Sequence, residues 1–297
     1  MNFIIGLSGQ VLTDAEKRLI KHDFVTGCVF LGPQCQSLDE AKILIESIRS
    51  LKPNLDIMLD HEGGEIIRFK EDIVQFNSAA SWLKGKTLEQ ASDLMSQTIK
   101  APLALLREVG FDRILAPCID IHSEASTIIG QRDRAFSSRM DEIVVMAQAW
   151  VAVCEKVGLK TCLKHWPGHG ASSHDSHIEL AYDHRDSDKI WSDAASYKRL
   201  IEAGYQDAVM PGHVIYPDID HLPATLSHKI IAQLRKWGFK GQIMTDCFSM
   251  SGAGDGSLYA RAVLARQAGI TDFMILSPAQ KVIELLDQFD CQSVREN

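Results

Sequence analysis

The sequence predicts an α/β fold, a single (β/α)₈ barrel of the TIM type that spans residues 1–297. Short apolar runs typical of buried parallel strands recur along the chain, and a helix signal follows each of them. No segment rich in Pro, Gly or Ser divides the chain into two parts. The predicted strands are 2–6, 28–31, 56–60, 113–116, 160–163, 208–210, 242–245 and 273–276.

Predicted helix boundaries between these strands support the alternation of strands and helices. Capping-box patterns at Thr13 (T-D-A-E), Ser37 (S-L-D-E) and Thr87 (T-L-E-Q) predict helix starts, because they satisfy free backbone donors of the first turn. Glycines stand where five helices are expected to end, at Gly110, Gly158, Gly204, Gly238 and Gly269. A doubly wound open sheet is the alternative, but no G-x-G-x-x-G or P-loop pattern follows any strand.

Composition excludes several classes of protein. Hydrophobic residues make up 45% and charged residues 24%, which is typical of a globular enzyme with a substantial core. The net charge of −8 and the absence of a basic run argue against nucleic-acid binding. No apolar stretch is long enough for a signal peptide or a membrane span, so we expect a cytoplasmic protein without a membrane partner.

The cysteine pattern favours reduced core residues. The seven cysteines are an odd number, contain no C-x-x-C pair and lie mostly within apolar runs. A disulfide framework and a structural zinc site are therefore both disfavoured.

Ionisable residues follow several predicted strands where those strands end. Asp60 ends the third strand, Lys164 and His165 follow the fifth, His213 follows the sixth and Asp246 ends the seventh. Because a barrel builds its active site at the carboxyl ends of its strands, we expect these groups to meet at one rim.

The segment 164–177, K-H-W-P-G-H-G-A-S-S-H-D-S-H, holds four of the eleven histidines and invites a metal interpretation. His165 and His169 have the spacing of helical zinc ligands, but Pro167, Gly168 and Gly170 oppose a helix there. The H-E-x-x-H glutamate is also absent. We therefore predict no metal and no cofactor.

Two further segments carry polar groups at strand ends. In D-H-E-G-G-E-I-I-R (60–68), a carboxylate and a guanidinium flank a Gly-Gly turn, which suits vicinal sugar hydroxyls and equally suits a structural ion pair. In G-Q-I-M-T-D-C-F-S-M (241–250), a strand ends in Asp246, which alone is as consistent with a helix cap as with a catalyst.

Together these segments resemble the β-N-acetylglucosaminidases of glycoside hydrolase family 3, the NagZ-type β-hexosaminidases. The first is similar to the family's D-x-E-G-G-x-V-x-R, and K-H-W-P-G-H-G is similar to its K-H-F-P-G-H-G. D-S-H, H-V-x-Y-P-x-x-D, P-A-T-L-S and T-D-C-F-S-M have counterparts in the same order. The resemblance covers about residues 4–277.

The resemblance implies a retaining mechanism with a covalent glycosyl-enzyme. Asp246 would be the nucleophile, and His177 would protonate the leaving oxygen while Asp175 orients its ring. The residues that would hold the hydroxyls of the terminal sugar are Asp60, Arg68, Arg134, Lys164 and His165.

Several positions depart from the family pattern. The family's I-G-x-R-[SA]-F segment is two residues longer here (I-I-G-Q-R-D-R-A-F), so Arg134 is assigned to it and Arg132 is the alternative. Ala171 replaces an acidic residue after P-G-H-G, and P-G-H-V replaces the usual A-H-V around His213. The end of the second strand reads F-L-G-P-Q-C instead of F-x-R-N.

The predicted function is release of terminal β-linked N-acetylglucosamine from peptidoglycan-derived sugars. The alternatives are another family 3 β-glycosidase such as a β-glucosidase, a glycoside phosphorylase in which a neutral imidazole admits phosphate as acceptor, and a non-catalytic sugar-binding regulatory protein. We expect a saccharide as the substrate and a monomer as the acting form.

Overall fold

A computed structural model describes residues 1–124, 126–172 and 179–293. In chain order, its strands are β1 (Asn2–Gly6), β2 (Val25–Phe30), β3 (Asp56–Leu59), β4 (Arg113–Ile114), β5 (Leu163–Trp166), β6 (Ala181–Tyr182), β7 (Ala208–Pro211), β8 (Val214–Tyr216), β9 (Asp220–Pro223), β10 (Gln242–Ile243) and β11 (Asp272–Ile275). Its α-helices are α1 (Asp14–Ile20), α2 (Leu38–Leu51), α3 (Leu88–Val109), α4 (Met140–Val157), α5 (Ser187–Asp193), α6 (Ala195–Glu202), α7 (His228–Lys236), α8 (Leu258–Ala268) and α9 (Ala279–Ser293).

The eight predicted strands form two parallel sheets, ordered β11-β1-β2-β3-β4 and β10-β7-β5. Isolated parallel bridges join the sheets on both sides, Arg113 to Lys160 and Cys118 to Lys164 on one and Met244 to Asp272 on the other. The predicted α/β fold is confirmed. Because bridges rather than ladders connect the sheets, closure into one continuous barrel stays a prediction.

Alternate strand residues face two different apolar clusters, as the two-residue period of a strand requires. The larger cluster packs the strands against the surrounding helices. The smaller one lies on the opposite face of the strands and is rich in thioethers, which come from Met58, Met210, Met244, Met250 and Met274.

The predicted helix boundaries are largely found. Thr13 and Thr87 form complete capping boxes with Glu16 and Gln90, whereas the Ser37 hydroxyl satisfies only the Glu40 amide. Gly158 and Gly269 cap α4 and α8 with positive φ angles of 79° and 108°, which favour glycine. None of the helices in the described ranges is long and apolar enough to cross a membrane.

The sequence analysis missed a small third sheet, in which β6 pairs parallel to β8 and β8 pairs antiparallel to β9. It packs beside the carboxyl ends of β5 and β7. There the buried Tyr216 hydroxyl donates to the carbonyl oxygen of Gly168, at 2.5 Å. This sheet therefore supports the P-G-H-G loop from outside the main sheets.

Candidate active site

A main cavity of about 490 Å³ opens at the carboxyl ends of the parallel strands. Its floor is apolar and includes Leu115, Met210 and Met274. The structure brings together in its lining six residues named from the sequence, Asp60, Arg68, Arg134, Lys164, His165 and Asp246.

Asp60 and Arg68 meet because the chain between them folds back on itself. Gly63 and Gly64 have φ angles of 94° and 60°, and the Glu62 amide then donates to the Ile66 carbonyl at 2.8 Å. This turn returns Arg68 to Asp60, where its guanidinium donates to the carboxylate and, through Nε at 2.8 Å, to the Asp60 carbonyl.

Lys164 completes this arrangement from β5. Its Nζ donates to Asp60 Oδ1 at 2.7 Å, although its side chain is only 4% exposed. Burial alone would raise the pKa of the Asp60 carboxyl, but Lys164 and Arg68 hold that pKa well below its usual range. Asp60 is therefore ionised, neutralised and fixed in place, which suits it to hold hydroxyl groups.

Glu62, which the sequence analysis left without a role, is the second anion of the site. It accepts two hydrogen bonds from Arg134, at 2.9 and 2.7 Å, and lies 2.6 Å from Lys164 Nζ. Burial opposes its ionisation, but Arg134 and Lys164 lower the pKa of Glu62 below its ordinary value. The sequence signal that could have identified Glu62 is its place in the D-H-E-G-G turn.

Both candidate arginines line the main cavity, in different settings. Arg134 is fixed by Glu62 and by the Ile128 carbonyl at 3.1 Å, whereas Arg132 is exposed at the mouth. The geometry favours Arg134 as the preorganised contact, because its guanidinium is held before a ligand arrives.

His165 is oriented by Asp120, a second residue that the sequence analysis missed. The His165 Nδ1 atom lies 2.8 Å from Asp120 Oδ2, and Arg134 Nη2 lies 3.4 Å from His165 Nε2. Because a guanidinium only donates, Nε2 is the acceptor and Nδ1 carries the proton.

Asp120 also organises the loop that follows β5. Its Oδ1 accepts from the backbone amides of His165 and His169, at 3.2 and 2.8 Å. Burial alone would raise its pKa, but the hydrogen bond from His165 lowers the pKa of Asp120 to about 2. Its position just beyond the fourth predicted strand was the signal that could have identified it.

Asp246 follows β10 and is half-buried at the wall of the main cavity, where its Oδ1 accepts from the Cys247 amide at 2.7 Å. His213, which the sequence places at the same rim, is instead fully buried outside the lining. It contacts the Cys247 carbonyl through Nε2 at 3.0 Å and Thr225 through Nδ1 at 2.8 Å. His213 therefore supports the backbone next to Asp246.

The predicted dyad, Asp175 and His177, lies outside the described residues. The chain on either side of it is anchored. The His169 amide donates to Asp120 before it, and the Asp183 amide donates to the Ile215 carbonyl of β8, at 2.9 Å, after it.

One group of side chains has the composition of a metal site. Ligand atoms of Cys118, Asp120 and His165 lie within 4.8 Å of one another. Burial raises the pKa of the Cys118 thiol well above its ordinary value. Arg134 also lies beside His165. In the described part of the chain, the three side chains are hydrogen-bonded to one another, since the Cys118 thiol donates to Asp120 at 3.3 Å and His165 Nδ1 lies 2.8 Å from Asp120 Oδ2.

Comparison with known proteins gives a consistent picture. The model of the glycosyl hydrolase family 3 N terminal domain matches residues 7–295. A beta-hexosaminidase of Psychromonas ingrahamii is 32% identical over 289 residues, which cover 96% of this chain and 85% of that protein.

Solved structures agree with this result. NagZ from Neisseria gonorrhoeae in complex with N-trifluoroacetyl-D-glucosamine superposes with a TM-score of 0.88 at 28% identity, over 96% of this chain and 84% of that one. The same protein in complex with zinc ion gives a TM-score of 0.88 at 27% identity, over 97% and 84%.

Proposed function

The chain belongs to glycosyl hydrolase family 3 and is a glycoside hydrolase of the β-hexosaminidase type, and from that premise we propose that it is a retaining enzyme that releases terminal β-linked N-acetylglucosamine. In this proposal, residues 1–297 act as one catalytic domain. The substrates are peptidoglycan-derived saccharides, as the family resemblance implies. That the enzyme acts as a monomer in the cytoplasm is a prediction from the sequence.

One observation carries the assignment of roles. Of the two carboxylates that line the main cavity in the described ranges, Asp60 is neutralised by Lys164 and Arg68. A carboxylate held by two cations binds hydroxyl groups better than it attacks carbon, because its charge is already satisfied. We therefore assign Asp60, Arg68, Lys164, Arg134 and His165 to hold the sugar. The T-D-C-F-S-M resemblance and the half-buried position of Asp246 at the cavity wall support it as the proposed nucleophile.

We assign the acid/base role to Asp175 and His177 because they belong to the D-S-H motif. An imidazole titrates near neutral pH, so it can protonate the leaving oxygen and then accept a proton from water. The sugar would react first with Asp246 and then with water, which retains the anomeric configuration.

The test is turnover of an aryl β-N-acetylglucosaminide compared with the aryl β-glucoside. We expect the first to be hydrolysed with retention and the second to be a poor substrate. Asp246→Ala should abolish turnover, whereas the exposed Asp255→Ala serves as a control with unchanged activity. A slow 2-fluoro sugar should leave its mass on the peptide containing Asp246, and inversion or a label on Asp60 would contradict the proposal.

A further inference from the structure

Glu62 contacts two of the cations that line the main cavity, although it does not belong to that lining itself. Its side chain is only 5% exposed and lies behind Arg134 and Lys164, which both line the cavity. As far as the structure describes the cavity wall, a bound sugar therefore meets Arg134 and Lys164 directly, and Glu62 only through them.

Glu62 and Arg134 form a side-on pair. The Glu62 carboxylate accepts from Arg134 Nε at 2.9 Å and from Arg134 Nη2 at 2.7 Å, and the Arg134 side chain is 11% exposed. Two such hydrogen bonds fix the plane of a guanidinium as well as its position. Glu62 therefore sets the orientation of Arg134 before a ligand arrives.

This orientation determines which donors of Arg134 are left for a ligand. A guanidinium has five N–H donors. Glu62 accepts two of them, the Ile128 carbonyl accepts one from Nη1 at 3.1 Å, and another faces His165 Nε2 at 3.4 Å. Within the described ranges, one N–H at Nη1 is left to donate to a hydroxyl group in the main cavity.

Glu62 also lies between two like charges. Its Oε1 atom is 2.7 Å from Arg134 Nη2 and 2.6 Å from Lys164 Nζ, so both cationic nitrogens contact the same oxygen. Without this carboxylate, the two cations would repel each other among buried side chains, where water screens them poorly. Burial opposes the charged form of Lys164, but Asp60 and Glu62 raise the pKa of its ammonium above the ordinary value.

We propose that Glu62 is a positioning residue for the reaction, which holds Arg134 in the orientation that presents its remaining N–H to the sugar. The inference rests on the proposed function, because the sugar-holding role of Arg134 belongs to that proposal. Glu62 makes no contact with the substrate and transfers no proton in this role. Its loss should therefore lower turnover through Arg134, since Lys164 keeps its hydrogen bond to Asp60.

Glu62→Gln tests the side-on pair. The amide keeps the size of the carboxylate, but in either orientation its NH₂ group faces a donor of Arg134. We expect kcat/KM on the aryl β-N-acetylglucosaminide to fall by about a hundredfold. The matched control is Glu16→Gln, which should turn over normally. Glu16 is 2% exposed and accepts from Ser8 and Thr13, but it lies outside the lining of the main cavity.

Chemical rescue separates a positioning role from a purely structural one. Arg134→Ala removes the guanidinium and leaves Glu62, so free guanidinium ion at a non-denaturing concentration can pair with the carboxylate. We expect this ion to raise kcat/KM of Arg134→Ala by about tenfold, compared with sodium ion at the same ionic strength. Glu62→Gln combined with Arg134→Ala should show no such increase. The double variant should fold, because it leaves neither partner as an unpaired buried charge.

The outcomes separate this inference from the proposed function. Wild-type enzyme that does not hydrolyse the aryl β-N-acetylglucosaminide would overturn the proposed function. With active wild-type enzyme, normal kcat/KM in Glu62→Gln or an equal loss in Glu16→Gln would overturn the positioning role alone. Rescue that is absent from Arg134→Ala, or equal in the single and double variants, would also overturn it. If Glu62→Gln fails to fold, the rescue comparison decides.

Discussion

Lys164 and Arg68 both donate to Asp60, but their replacement should have different effects on stability. Lys164 is buried between Asp60 and Glu62, so Lys164→Ala leaves two carboxylates short of a cation and should lower the free energy of unfolding by about 3 kcal/mol or more. Arg68 is 26% exposed, and Arg68→Ala should cost much less.

Both variants should lower kcat/KM on the aryl β-N-acetylglucosaminide by about a hundredfold, because each removes a preorganised donor from the site. Denaturant unfolding and steady-state kinetics check this pair of expectations. Lys84→Ala, which removes an exposed lysine paired with Asp133, is the control. Normal turnover in both site variants would contradict the assigned sugar contacts.

Three buried groups predict how stability depends on pH. Burial lowers the pKa of His61 and of His169 to about 4, whereas the unfolded chain binds these protons near pH 6.5. Acidification from pH 6.5 to 4 therefore protonates the unfolded chain first and destabilises the fold, by about 3 kcal/mol for each histidine. Asp120, whose pKa is lowered to about 2, adds a further loss as the pH falls from about 3.8 to 2.

Urea unfolding at pH 7, 5.5 and 4.5 measures this dependence. The exposed His221→Asn variant should lose stability with the same slope as the wild type. Equal unfolding free energies at pH 7 and 4.5 would show that His61 and His169 accept protons in the folded protein at ordinary pH values.

The site residues that the sequence analysis found can be recognised from their place after a strand, whereas those it missed depend on partners elsewhere in the chain. Asp60 and Lys164 stand directly after apolar runs, so strand-end logic locates them without knowledge of their partners. Glu62 and Asp120 matter because of Arg134, Lys164 and His165, which are remote in sequence. Such pairings become visible only after the strands assemble.

At the scale of secondary-structure elements, the small sheet of β6, β8 and β9 can be tested for an indirect contribution to catalysis. Tyr216→Phe removes the donor to the Gly168 carbonyl, so we expect a loss of about 1 kcal/mol in stability and a several-fold lower kcat. Tyr182→Phe in the same sheet is the control, because its hydroxyl makes no hydrogen bond within the described ranges. Unchanged kcat in Tyr216→Phe would make the sheet a purely structural addition.

The predicted strands and helices agree with the structure where their signals are long or chemically specific. The capping boxes at Thr13 and Thr87 and the terminal glycines of α4 and α8 are examples. The small sheet escaped prediction because its strands are only two to four residues long and lack an extended alternating pattern.

At the scale of the whole molecule, the amino-terminal ends of the strands serve stability. The buried Arg113 side chain contacts Asp56, Asp207, the Thr161 carbonyl and Gln242, at 3.2, 2.7, 2.7 and 2.6 Å. Arg113→Met should lower the free energy of unfolding by about 3–5 kcal/mol, because it leaves these acceptors uncompensated. It should leave kcat/KM unchanged below the melting transition, since the main cavity opens at the other end.

Thermal unfolding and kinetics on the same preparation check the Arg113 prediction. Lys160→Met, which removes a half-exposed amine 3.6 Å from Asp56, should cost less than about 1 kcal/mol. A kinetic defect in folded Arg113→Met would show that the two ends of the molecule are coupled.

The thioether-rich cluster beneath the main cavity makes the enzyme sensitive to oxidants. Met210, Met250 and Met274 line that cavity, and a sulfoxide at any of them would place a strong dipole where the floor is apolar. Peroxide should therefore inactivate the enzyme, and bound sugar should protect it. Dithiothreitol should not restore the activity, because it reduces a sulfenic acid at Cys247 but not the methionine sulfoxides. Met210→Leu combined with Met274→Leu should slow the inactivation, so that the working lifetime of the enzyme depends on the redox conditions around it.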